Sequence, residues 1–462
     1  MRFEDIIYFF DNIVLIYVAI MFFVFFIFVI SSALSFDKHI KFRGFINNFN
    51  LDYNADYIPV SLLVPAYNEE VTICKTIESL LATDYKQYEI IIINDGSTDS
   101  TFEVIEQKYK LKHIYKPMKR SIETKDILSV YKGEVNNVFI TVINKVNGGK
   151  ADALNVGINY AKYPIFITID ADSILEKGAV RNIIVPFMKN KKTIAVGGNI
   201  RIANAFTIEN GVVTKIDTPK GLIIPFQMIE YFRAFLTNRM TWNILNMNLI
   251  ISGAFGAFRK RDVINVGGYK NNTVGEDMEL VMRLHKKFIE NKEEYYISYA
   301  PDANCYTQAP KTLKGLKVQR RRWQIGLIHS MSLHKNLFLN RRWLLAKLYF
   351  ILFEMITPII EVVGMIIILL SFIFKIINLK FVLCYYGFII IYSLAISISA
   401  ILLQVYAFKE DINKKVIARL MIISIFEGIG YRQFLALYRA SAFIGYKKNK
   451  YKWGTIKREK QN

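Results

Sequence analysis

The chain has 462 residues, 53% of them hydrophobic, with 34 Phe, 27 Tyr and a formal net charge of +21. That length holds two or three domains, and the apolar content exceeds what a water-soluble protein needs. The charge does not indicate a nucleic-acid binder, because seven Lys and Arg residues crowd into Lys447–Lys460 beside a hydrophobic segment, where anionic lipid headgroups are the fitting partner.

Residues 1–11 form a short N-terminal segment carrying Glu4, Asp5 and Asp11 against Arg2, unlike the basic start of a cleaved signal peptide. Asn12 to Leu34 are uncharged, enough to cross a ~30 Å hydrocarbon layer at ~1.5 Å per residue. A transmembrane helix is therefore expected over 12–34 and a linker over 35–56. Lys38, Lys41 and Arg43 follow the span, which places the N-terminus outside and the middle of the chain in the cytosol. Cys74, Cys305 and Cys384 are scattered without metal-ligand spacing, as free thiols of a reducing compartment would be.

From Tyr57 to Gln308 short β-rich runs alternate with helical patterns, the mark of an α/β sheet. Val60–Val64 reads as a buried strand ended by Pro65, Glu69–Leu81 as a helix, Glu89–Asn94 as a second strand and Thr98–Lys108 as a helix. Tyr115–Asn144 reads as an inserted excursion, in hairpin form. Ala151–Tyr160 is helical, Ile165–Ile169 a further strand, and Met278–Lys287 another helix. The domain is expected to close at 323. After Trp323 an amphipathic helix over 324–343 is expected on the membrane surface, then membrane helices over 344–374 and 381–408. The stretch 416–446 is interrupted by Arg419, Glu427, Arg432 and Arg439 and reads as an interfacial or re-entrant helix, or else a third C-terminal span. The basic tail 447–462 follows. There is no internal repeat and no low-complexity tract.

Ligands of open α/β sheets bind at the carboxyl ends of the strands. Asp170-Ala171-Asp172 follows a strand directly. Hard cations such as Mg2+ or Mn2+ take carboxylate oxygens and leave positions for phosphate, so this pair suits a metal-bound diphosphate; a solvated turn is the plain alternative. Asn147-Gly148-Gly149-Lys150 precedes a helix, where glycine backbone and a lysine attract anionic oxygen. Pro65-Ala66-Tyr67-Asn68-Glu69 and Asp95-Gly96-Ser97 end two strands and bracket a nucleoside, Tyr67 stacking on the base, or else Asn68 and Asp95 cap helices. Gly275-Glu276-Asp277 opens a helix and offers a held carboxylate as general base, or a dipole-compatible acidic N-terminus. In Gln319-Arg320-Arg321-Arg322-Trp323, arginine suits a diphosphate leaving group, tryptophan a sugar face and glutamine its hydroxyls. Arg320 and Arg321 also suit lipid headgroups at a membrane belt.

Together these residues resemble the membrane-bound family-2 glycosyltransferases, among them the cellulose, hyaluronan and poly-N-acetylglucosamine synthases, over roughly Pro59 to Trp323. Within that family the similarity is greatest to bacterial poly-β-1,6-N-acetylglucosamine synthase-like proteins, including Trp453-Gly454 and Arg458 in the tail. The resemblance implies an α/β fold with a Rossmann-like, glycosyltransferase A-type cytosolic domain flanked by transmembrane and interfacial helices. It implies an inverting, Mg2+- or Mn2+-dependent transfer of a hexose, N-acetylglucosamine by similarity, from a UDP-sugar to a β-linked polysaccharide at the cell membrane. By position it implies Asp277 as base and Asp170 and Asp172 on UDP and metal. Tyr67, Glu69, Asp95, Lys150 and Arg322 would bind the UDP-sugar, and Ser252, Gly253, Gln319 and Trp323 the acceptor. Gly275 stands where the family has threonine. Cellulose and hyaluronan synthases have more membrane spans after the Gln-x-x-Arg-Trp motif, so a homo-oligomer or an accessory membrane subunit is an expected partner. Two other readings stand beside this one: a single-transfer enzyme acting on a lipid acceptor, and a non-catalytic membrane partner of a polysaccharide-exporting assembly.

Overall fold

The computed structural model describes residues 3–48, 58–115, 117–209, 211–216, 219, 221–377, 379–408 and 414–446. The basic tail 447–462, with Trp453, Gly454 and Arg458, and the 49–56 part of the expected linker lie outside these residues.

The described residues form twelve strands: β1 Val60–Ala66, β2 Tyr88–Asn94, β3 Lys112–His113, β4 Ile127–Val135, β5 Val138–Lys145, β6 Ile165–Ile169, β7 Ile174–Leu175, β8 Thr193–Ile202, β9 Phe206–Glu209, β10 Val212–Ile216, β11 Phe255–Arg259 and β12 Tyr296–Thr307. Ten form one mixed sheet in the order β3-β4-β5-β2-β1-β6-β11-β8-β12-β7, and β9 and β10 make a separate hairpin. β5, β2, β1 and β6 run parallel. Their residues alternate between two apolar layers. Leu62, Val64, Ile90 and Ile92 pack with Ile73, Ile77 and Leu80 of helix α2 (Ile73–Leu81, after α1 Phe3–Asn48). Leu63, Ile91 and Ile93 pack with Leu154 and Ile158 on the opposite face. Burial on both faces is why these strands read as unbroken apolar runs.

Pro65 does not end β1, which continues to Ala66. Its missing amide is tolerated at the last turn of the strand, where the chain is about to leave the sheet. The excursion at 115–144 is a hairpin, but an integral one. Asn136 and Asn137 take φ of 50° and 64°, the left-handed pair of a tight two-residue turn, and β5 pairs with β2 inside the main sheet.

The other helices of the α/β region are α3 Thr101–Tyr109, α4 Lys150–Tyr160, α5 Ala179–Lys189, α6 Ile223–Phe232, α7 Arg239–Ile244, α8 Lys260–Asn265, α9 Glu276–Glu290 and α10 Leu313–Leu333. α10 runs straight through Trp323, so no domain boundary falls there. The expected surface helix over 324–343 is not seen. Gln324 to Met331 are all buried, because α10 is wedged between α9 and the later membrane-type helices, and short turns fill 335–343. The elements between the α/β sheet and the apolar helices are instead α6 and α7, joined by a wider turn at Arg233–Asn238. The sequence did not single them out.

Among the described residues, four helices are long and apolar enough to cross a membrane: Asn12–Lys41, Leu344–Ile373, Leu379–Ala407 and Lys414–Ala440. The first lies inside the continuous α1, which extends to Asn48 through the expected linker at 35–48. No Pro stands between Leu34 and Asn48 and no Gly before Gly44, so the helix has no reason to stop at the last apolar residue. The second comprises α11 (Leu344–Tyr349), a wide turn at Phe350–Ile356 and α12 (Thr357–Ile373); the third is α13 (Leu379–Phe408). The fourth is broken: α14 (Lys414–Phe426) and α15 (Arg432–Ala440) meet at Glu427–Tyr431, where Ile429 and Gly430 leave helical backbone and Gly430 has φ of 103°. α14 packs on α13, whereas α15 packs on α12 and α10.

Candidate active site

Because β5, β2, β1 and β6 are parallel, their carboxyl ends share one edge and present Lys145, Asp95, Tyr67 and Asp170. β11 is antiparallel to β6, with Phe255 opposite Ile169, so the loop before it, Ser252–Ala254, reaches the same edge. α9 and α10 close the site from the side.

Asp95 is 3% exposed and fully engaged. Its carboxylate accepts from the amides of Gly148 (2.9 Å) and Gly149 (2.7 Å) and from Lys145 Nζ at 2.6 Å. Lys145 has no exposed surface and is also 2.6 Å from Asp152 in the first turn of α4. Neither Lys145 nor Asp152 was legible as a site residue, although a lysine ending an apolar strand is a visible signal. Asp95 therefore acts here on the protein itself: it shapes the Asn147–Gly149 loop, in which Gly149 has φ of 87°, and so aims Lys150.

Lys150 Nζ forms an ion pair with Asp170 and lies 3.4 Å from the Gly253 carbonyl. Burial works against its ammonium, but Asp170 and then Glu276 hold its pKa above that of an ordinary lysine. The Gly253 amide in turn donates to Asp277 Oδ2 at 3.2 Å, and Asp277 Oδ1 accepts from the Met278 amide at 2.8 Å. Asp170, Lys150, Gly253 and Asp277 thus form one chain of contacts. Asp172 is buried one strand-turn further on, at 2% exposure.

Glu276 is the unexpected group. Its carboxyl is 4% exposed, and burial, followed by the neighbouring Asp277, pushes its pKa up to about 7, with Lys150 and Arg322 pulling the other way.

α10 crosses the start of α9 at backbone contact. A Cβ on Gly275 would lie 2.9 Å from Gly326 Cα, which accounts for glycine at 275 in this chain. His329 Nδ1 is 3.1 Å from Thr273 Oγ1 on the same turn. α10 also carries Gln319, Arg322 and Trp323. Trp323 is 44% exposed, and the buried Gln319 Oε1 has no hydrogen-bond partner among the described residues. Arg320 is not at a lipid surface: it is 2% exposed and bonded to Glu230 at 2.8 Å. Arg321 donates to the Ile444 carbonyl at 3.0 Å.

The remaining expected residues lie at the rim. Tyr67 is half-exposed, free in space to meet a ring. Glu69 is 8% exposed and accepts from Thr72 Oγ1, at the start of its own helix, at 2.7 Å. Ser252 Oγ accepts from the Ala254 amide at 3.3 Å, which bends the loop toward Asp277.

Residues 61–266 match the family model described as glycosyl transferase family 2, and residues 165–403 that of glycosyl transferase family group 2. The chain is 34% identical over 312 residues to a poly-beta-1,6-N-acetyl-D-glucosamine synthase of Staphylococcus aureus (strain COL), covering 67% of this chain and 64% of that protein. It is 32% identical over 300 residues to the synthase of the same name from Staphylococcus epidermidis, covering 65% of this chain and 61% of the other. The matched region thus spans less than two thirds of the length of these relatives. Among solved structures, the mannosyltransferase of Pyrobaculum calidifontis, in complex with GDP-Man and Mn2+, superposes with a TM-score of 0.51 at 14% identity, covering 92% of this chain and 99% of that one. That likeness gives the fold, a glycosyltransferase A-type Rossmann-like domain.

Proposed function

The chain belongs to the family-2 glycosyltransferases, and from that membership and the geometry of the sheet edge we propose that it transfers N-acetylglucosamine, with inversion, from UDP-N-acetylglucosamine to a growing β-linked polysaccharide at a membrane. The observation that carries this reading is the contact chain Asp170–Lys150–Gly253–Asp277, whose members we assign as donor carboxylate, phosphate-binding lysine, acceptor loop and base. The names of the staphylococcal relatives support the sugar and the polymer.

In this mechanism Asp277, oriented by the Gly253 and Met278 amides, takes the proton of the acceptor hydroxyl as it attacks the anomeric carbon. Lys150 and Arg322 hold the departing diphosphate, and Trp323 and Gln319 hold the acceptor sugar. Asp170 and Asp172 would hold Mg2+ or Mn2+. Among the described residues no cluster of three or more His, Cys, Asp or Glu is poised for a metal. Two carboxylates fit a hard cation whose other positions are filled by phosphate and water. Bound there, the cation would offset charge on the diphosphate. The catalytic domain would face the cytosol, with the four apolar helices in the bilayer.

Purified protein in nanodiscs is to be incubated with radiolabelled UDP-sugars and Mg2+ or Mn2+. High-molecular-weight, glycosidase-sensitive label from UDP-N-acetylglucosamine is the expected product. A single small species extracted into organic solvent would instead assign a lipid acceptor. Asp277→Asn is expected to abolish transfer while UDP still binds; a folded variant that no longer binds UDP would refute the role of base.

A further inference from the structure

The buried charges around the broken fourth helix take no part in the chemistry above, yet they lead to Trp323. The Arg320 guanidinium lies 4.2 Å from the Trp323 ring centroid and covers one face of it. Arg320 donates to Glu230 Oε2 at 2.8 Å, while its Nε and Nη1 are buried without a hydrogen-bond partner among the described residues. The ring face, Glu230 and the hydroxyls of Tyr231 and Tyr431 beside it hold this cation in place. Glu230 in turn accepts from the Tyr431 hydroxyl on the same oxygen at 3.2 Å, and Tyr431 stacks on Phe226 with centroids 4.6 Å apart. Tyr431 follows Gly430 directly, at the point where the helix breaks. The break is anchored from its other side: Glu427 accepts from Arg233 Nη1 at 2.8 Å and Ser397 Oγ at 2.6 Å, with Arg432 within 3.8 Å.

We propose that Glu230 and Tyr431 are positioning residues for the acceptor: they lock Arg320 beneath Trp323, so that only the opposite ring face receives the sugar, and the break at Glu427–Tyr431 is the strut that supplies one end of the lock. An unbroken helix would carry Tyr431 on past this point. This inference rests on the reading of Trp323 as the acceptor platform.

The test uses the full chain in nanodiscs with UDP-N-acetylglucosamine and a β-1,6-linked N-acetylglucosamine pentamer. Three quantities are read: KM for the pentamer, KM for the donor, and UDP release to water without acceptor. Tyr431→Phe deletes one hydroxyl bonded to a charged group. It is expected to raise the pentamer KM by roughly threefold to tenfold and to leave donor KM and hydrolysis unchanged. Glu230→Gln should do the same more strongly, with partial recovery in Glu230→Asp. Trp323→Ala serves as reference. If Trp323→Ala raises the pentamer KM and Tyr431→Phe and Glu230→Gln do not, the lock is refuted and the platform survives. A parallel fall in donor hydrolysis would reduce both residues to general structural support. If Trp323→Ala leaves the pentamer KM unchanged, the platform itself is lost and the lock with it.

Discussion

Replacing Lys145 by methionine removes the cation from a site with no solvent. Lys145 has no exposed side-chain surface, and the side chains of Asp95 and Asp152 are 4% and 3% exposed. Methionine fills much the same volume, so the cavity contribution is small and the electrostatic one dominates. Asp95 keeps the Gly148 and Gly149 amides, while Asp152 keeps only a 3.3 Å contact from the Lys125 amide. Breaking a buried pair by removing one partner costs about 3–5 kcal/mol. For a domain of this size that lowers the unfolding midpoint by about 10 °C, at ~2–4 °C per kcal/mol. Thermal unfolding in detergent would be followed by fluorescence, with UDP binding measured below the transition. Both should weaken, because the same triad shapes the loop that aims Lys150. Asp152→Asn in the Lys145→Met background, which neutralises one stranded carboxylate, should recover part of the loss. A Lys145→Met protein within ~2 °C of the parent would refute the reasoning, as would further loss on adding Asp152→Asn.

Two other outcomes are open to measurement. Glu276, with its folded pKa raised from 4.5 to about 7, stays protonated while the unfolded chain ionises, so stability falls as pH rises from about 4.5 and the full cost is present above about 7. At ~1.4 kcal/mol per pH unit that cost is on the order of 3–4 kcal/mol at most. Glu276→Gln should then be more stable than the parent at pH 8 and nearly equal to it at pH 5; an identical difference at both values would sink the assignment. Gly275→Val places a branched side chain against Gly326, where even a Cβ would lie 2.9 Å from backbone, and prises α10 from α9. We expect transfer to drop at least ~10-fold with donor KM little changed, and a wild-type rate would show that the crossing tolerates separation.

The sheet was legible where residues are buried on both faces. Ile90–Ile93 and Ile165–Ile169 can sit nowhere but in a covered strand, and each delivers a carboxylate at its end. The motif residues were visible as types, and Asp170, Lys150 and Asp277 are linked by contacts along one edge. What each touches was not visible. Asp95 reads as a ligand group, and its bond to the Gly149 amide was not visible, nor was the bond from Thr72 to Glu69. Arg320, which reads as a headgroup contact, is buried under Trp323.

Local sequence determined what periodicity and hydrophobicity can carry: the α/β core, the long apolar helices and the order of the motifs. Only tertiary structure decided the partners of charge. Lys145 with Asp95 and Asp152, Arg320 with Glu230, and Gly275 with Gly326 are 50 and 7, 90, and 51 residues apart in the chain. A charged side chain reads the same whether water or a buried counter-ion will satisfy it. The difference arises from desolvation, which exists only once the strands and helices have closed around it.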